Sequence, residues 1–145
     1  MLEVILQSRA YAGEFTKRIQ VSSNDADHVN ELLTCKGEVY VPCFIEPRNA
    51  RFTNKITTDS PTQYQTITIT RGHAGPLAPE LVPFEEDSWL DAQLCEIEEG
   101  EHYELVVSAG PPWQPGRKRK TIYVQTGVEE YPEMRIFATA VVTEP

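Results

Sequence analysis

Helical signal is the first thing this sequence has little of. Across 145 residues, eleven prolines and eight glycines are scattered so that little uninterrupted chain is left for a helix, and apolar side chains hardly ever recur at three- and four-residue intervals. Only NDADHVNELL has some helical licence, with Asn24 or Asp25 able to cap a single turn; a loop leading into a strand at Glu31 fits it better. Long apolar runs are absent too: none approaches the ~20 residues of a membrane helix. The first residues lack the basic region and apolar stretch of a signal peptide. The expectation is a chain with no membrane span that either stays in the cytoplasm or has its leader outside this sequence.

Cysteine is sparse. Cys35, Cys43 and Cys95 form no C-x-x-C pair and have no histidine at metal-ligand spacing, which excludes a recognisable zinc site and a full disulfide framework. Two readings remain, buried free thiols or one disulfide with an orphan. His28, His73 and His102 are widely separated; there is no His-x-x-x-His helix and no G-x-S-x-G elbow, so neither a zincin nor a hydrolase is signalled. No Asn-x-Ser/Thr sequon occurs.

Positive charge is also short. A net charge of -9 argues against a nucleic-acid backbone as partner, because such binders need a basic face to release counterions. From Gly72 to Gly116 there is no Lys or Arg at all, while Glu85, Glu86 and Asp87 belong to a long accumulation of carboxylates. Arg117, Lys118, Arg119 and Lys120 then follow without a break. This asymmetry marks both clusters as a candidate interaction surface able to steer a partner or align neighbouring modules, with solvated faces that stop edge-to-edge pairing as the plainer reading. Trp113, in the proline-stiffened GPPWQPG, joins that surface or packs over the open end of a sandwich. SNDADH offers hard oxygens at Asn24, Asp25 and Asp27, but it lacks the glycine and distal glutamate of a calcium loop and reads as a structural turn.

Period-two alternation is what the sequence does have. YQTITITR puts Ile67 and Ile69 on one face, HYELVVS puts Tyr103, Leu105 and Val107 together, TIYVQT pairs Ile122 with Val124, and RIFATAVV aligns Ile136, Ala138, Ala140 and Val142; turn formers recur at roughly 8 to 12 residues, the rhythm of a sandwich or barrel. The chain also repeats itself. Setting Gly13 on Gly116, an offset of 103, places Val4 on Val107, Ile19 on Ile122, Val21 on Val124, Leu33 on Ile136, Val39 on Val142 and Pro42 on Pro145 without a gap. That offset is about the length of an Ig-type sandwich. The expected organisation is therefore a complete module over residues 41–145. Residues 1–40 precede it as the closing strands of a partial repeat, a three-stranded meander that packs beside the module or is completed by another copy of the chain.

GEFTKRIQVSSND, VNELLTCKGEVYVPCFIEP, TITITRGHAGPL, HYELVVSAGPPWQPGRKRKTIYVQTG and RIFATAVV together resemble a bacterial, planctomycete-rich Ig-like domain family of unknown function, itself similar to the abnormal-spindle and hydin-like sandwiches. The shared features are a glycine before a strand, a V-x-T or V-x-S-N strand end, and a final apolar strand. The resemblance implies an all-β, immunoglobulin-like Greek-key sandwich, tandem copies in a parent protein and a periplasmic or cell-surface location. It carries over no catalytic residue. The function expected is a non-catalytic structural or protein-interaction module, with neighbouring Ig-like modules or another protein as partner, no cofactor, and a homodimer through the N-terminal strands as one arrangement. The alternative is a ligand- or metal-binding accessory domain of an enzyme.

Overall fold

The computed structural model describes residues 1–8, 13–83 and 89–144, and the regular elements of these residues are ten β-strands. They are β1 (Gly13–Ser22), β2 (Asn30–Val39), β3 (Cys43–Glu46), β4 (Ala50–Thr57), β5 (Gln63–Arg71), β6 (Glu80–Leu81), β7 (Leu90–Glu98), β8 (His102–Ala109), β9 (Gly116–Gln125) and β10 (Glu133–Thr143). The chain divides into two units, Met1–Val41 and Pro42–Pro145.

In the second unit two four-stranded sheets, ordered β3-β5-β8-β7 and β4-β10-β9-β6, enclose one hydrophobic core as in a β-sandwich. Alternation does the sorting. Ile67 and Ile69 of β5, Tyr103, Leu105 and Val107 of β8, Ile122 and Val124 of β9, and Ile136 of β10 all point inward and are buried. Each such side chain contributes roughly 1.5–3 kcal/mol by leaving water. Threonines 66, 68 and 70 of β5 face the other way, as a half-buried strand requires. Pairing between neighbours is antiparallel except for β4, which runs parallel to β10. There the register slips: two steps along β10, Ala140 to Val142, span four along β4, Phe52 to Ile56. The extra residues of β4 bulge outward, which is why RFTNKIT does not alternate cleanly and carries little strand signal.

In the first unit β1 pairs antiparallel with β2. The three-stranded meander expected here is a two-stranded hairpin among the described residues, since residues 2–7 form no strand. LEVILQ alternates, but alternation makes a strand only where a neighbour supplies hydrogen bonds.

The two hairpins β1–β2 and β9–β10 agree in detail. Gly13 faces Val39 and Ser22 faces Asn30; 103 residues on, Gly116 faces Val142 and Gln125 faces Glu133. Both hairpins open on a glycine with positive φ, +74° at Gly13 and +122° at Gly116, a conformation that a side chain would strain. The connecting loops match bond for bond. The Ser23 amide donates to the Val29 carbonyl at 2.9 Å and the Thr126 amide to the Pro132 carbonyl at 3.0 Å. Ser23 Oγ accepts from the Asp25 amide at 3.2 Å, and Thr126 Oγ1 from the Val128 amide at 3.0 Å. Each hydroxyl then donates across its loop, to the carbonyls of His28 and Tyr131 respectively. The amides of His28 and Tyr131 donate in turn to the carbonyls of Asp25 and Val128.

What differs is burial. Leu33 is 42% exposed where Ile136 is fully buried, and Leu2 and Val4 are 59% and 51% exposed where Leu105 and Val107 are fully buried. Among the described residues the first unit shares the hairpin geometry of β9–β10 and buries its apolar side chains less.

Candidate interaction surface

Strand alternation splits the predicted basic cluster. Arg117 and Arg119 are exposed on the outer face of β9, whereas Lys118 and Lys120 lie on the Ile122 side and are half-buried. Their neighbours across β10 are Ala140 and Ala138, small residues that leave room for lysine stems to run along the core rim before the ammonium reaches water. Lys118 Nζ donates to Gln114 Oε1 at 3.4 Å. Trp113 is 6% exposed and part of the core, its indole N–H donating to the Ser60 carbonyl at 2.8 Å; it is a packing residue, not a displayed one. Glu85, Glu86 and Asp87 lie outside the described residues.

Two cations that sequence reasoning did not single out join Arg117 and Arg119. The bulge in β4 opens a cleft of about 830 Å³ on the outer face of the β4-β10-β9 sheet, lined by Arg51, Lys55, Arg117, Arg119, Phe137, Thr139 and Val141 among others. Register arranges the cations. Arg119 faces Thr139, which faces Arg51, so one row crosses three strands. Arg117 faces Val141, opposite the bulge that carries Lys55. With strands about 4.8 Å apart and side chains on one face repeating at about 7 Å, the four positions frame a rectangle roughly 10 by 7 Å around Thr139 and Val141. The described cleft lining holds no carboxylate, and among the described residues none of these four cations has an ion-pair partner within 4.0 Å. The Arg119 guanidinium lies 4.8 Å from the centre of the Phe137 ring, which holds its plane against the sheet. Asn49 Oδ1 accepts the Phe137 amide at 3.3 Å and fixes one wall. On the edge strand, the Gln65 side-chain amide bonds both the N–H and the C=O of Arg51, occupying backbone groups that would otherwise invite another strand.

The three cysteines are free, and burial pushes the Cys43 thiol up to about 11, which keeps it protonated and poorly nucleophilic at neutral pH. His28 Nδ1 lies 2.6 Å from Glu31 Oε1 on an exposed loop. Asp25 Oδ1 accepts the Asp27 amide at 3.0 Å, so SNDADH turns its carboxylate onto its own backbone. Among the described residues no three His, Cys, Asp or Glu side chains cluster closely enough to hold a metal ion, and no helix is long and apolar enough to cross a membrane. No family model matches the chain, and no curated protein matches it.

Proposed function

We propose that this chain is a non-catalytic structural and protein-interaction segment of Ig-like type, working in a tandem array of modules about 103 residues apart. The observation that carries the reading is the agreement of the two hairpins in register and loop hydrogen bonds at that one offset. In this reading β1–β2 is the closing hairpin of one module and the second unit is the next. The strand order supports the Ig-like Greek key. With β3 and β4 as a split first strand, the sheets follow the A-B-E-D and A′-G-F-C order of an immunoglobulin sandwich. The half-buried apolar side of β1–β2, with Leu33 exposed on it, supports a neighbouring module, or a second copy of the chain, as the partner. Placement outside the cytoplasm belongs to the same proposal and rests on the family resemblance alone.

The test is the mass of the native polypeptide, captured from its source with an antibody against residues 42–145. The reading predicts a polypeptide larger than 16.4 kDa by at least one further module, with peptides at a 103-residue period. A native polypeptide of 16.4 kDa that stays monomeric in solution overturns it.

A further inference from the structure

We infer that the cleft over β4, β10 and β9 is a binding site for a multivalent tetrahedral oxyanion, a polyphosphate or polysulfate ester. In a protein of net charge -9, bringing like charges together without neutralising them costs free energy, and the usual surface solution is to intersperse carboxylates. Here four cations from two non-adjacent strands border one concave space, and no described carboxylate is among its lining residues. A ligand carrying negative charge supplies the missing neutralisation.

The kind of anion follows from the side chains. Three of the four cations are arginines, whose planar forks match two oxygens of one tetrahedral group at once, while Lys55 contributes a mobile point charge. The rows are about 7 Å apart at the backbone, so an ester with two or more oxyanion groups can engage both rows at once, and more strongly than a single small anion. Thr139 lies between Arg119 and Arg51 in register and adds a hydroxyl donor at the centre of the first row. Phe137 with Arg119 stacked on it forms a flat wall beside that row, suited to the uncharged body of an ester. A bulge placed beside such a cluster re-aims side chains at a site, a recurrent use of this irregularity.

The experiment is calorimetric titration of the whole chain at fixed moderate ionic strength with tripolyphosphate and, separately, with sucrose octasulfate; inorganic sulfate serves as the single-group control. The inference predicts saturable 1:1 binding of at least one multivalent probe, weaker binding of sulfate, and NMR shifts confined to β4, β9 and β10. Which of the two binds more tightly assigns the ester class. Arg51→Gln and Arg119→Gln each weaken binding roughly ten-fold or more, the usual cost of losing a charge-assisted pair, and Arg119→Lys also weakens it because the fork is lost. Arg135→Gln removes the same charge from the same sheet outside the cleft, where Arg135 is paired to Glu133 at 3.4 Å, and leaves binding nearly unchanged. All these side chains are exposed, so the variants keep the wild-type melting transition. Absence of saturable binding by both probes, or an equal loss on Arg135→Gln, overturns the assignment.

Discussion

Thr126 illustrates how much one hydroxyl does in this fold. It is fully buried, and it both accepts the Val128 amide and donates to the Tyr131 carbonyl, so removing it strands two backbone groups. Thr126→Val is therefore expected to cost about 1–3 kcal/mol, the price of unsatisfied buried polar groups, seen as a lower denaturation midpoint at unchanged slope, whereas Thr126→Ser keeps the bonds and most of the stability. The sequence carried this residue in plain view as a V-x-T strand end, matched by Val21, Ser22 and Ser23 in the other hairpin. Its role was not legible, because a loop hydrogen bond depends on where the chain returns at Tyr131. Cys43 gives a second expectation. Its thiol is unperturbed near 9.0 when unfolded and about 11 when folded. The unfolded chain therefore releases the proton first as pH rises, and the stability that this group contributes is complete below about pH 9 and declines through pH 11. Alkylation of Cys43 at pH 8 should follow unfolding rather than precede it, measured by mass spectrometry across a denaturant series; rapid labelling of the native chain at this position would contradict the burial.

Elements differ in how far the sequence announces them. β5, β8, β9 and β10 alternate regularly and bury one face against the opposite sheet, so their periodicity and their packing express the same constraint. β4 breaks the pattern because its parallel pairing with β10 is bulged between Phe52 and Ile56, and the partners are more than eighty residues apart in sequence. The same long-range pairing hid half of the cationic cleft. Arg117 and Arg119 stand in a conspicuous run, but Arg51 and Lys55 gain meaning only once β4 lies beside β10. Local order misled at LEVILQ, which alternates like a strand yet forms none among the described residues; at Trp113, where the proline-rich loop left display and packing both open, the side chain packs into the core.

At the scale of the whole molecule, charge and burial are both divided. In the second unit the outer face of one sheet carries Arg51, Lys55, Arg117, Arg119 and Arg135 against Glu80 and Glu133. On the outer face of the other sheet, the register row Glu46, Thr68, Glu104 and Cys95 bears acid alone. The net charge of -9 thus conceals a polarised module, which suits both an anionic ligand on the basic sheet and ordered neighbours in an array. The first unit buries its apolar residues less completely than the second. A lone two-stranded hairpin is marginal in water, and its apolar residues gain little until a facing sheet covers them. The offset that relates the two hairpins was visible in the sequence because their apolar period and turn glycines coincide where identities do not. The matching loop hydrogen bonds needed coordinates. Hydrogen exchange at register-equivalent amides, Ile19 against Ile122 and Leu33 against Ile136, separates a hairpin standing alone from one that closes a sandwich, first in this chain and then in the native polypeptide captured from its source. The account predicts fast exchange at Ile19 and Leu33 in this chain with strong protection at Ile122 and Ile136, and protection at all four in the native polypeptide. A hairpin that stays equally unprotected in the native polypeptide would contradict it.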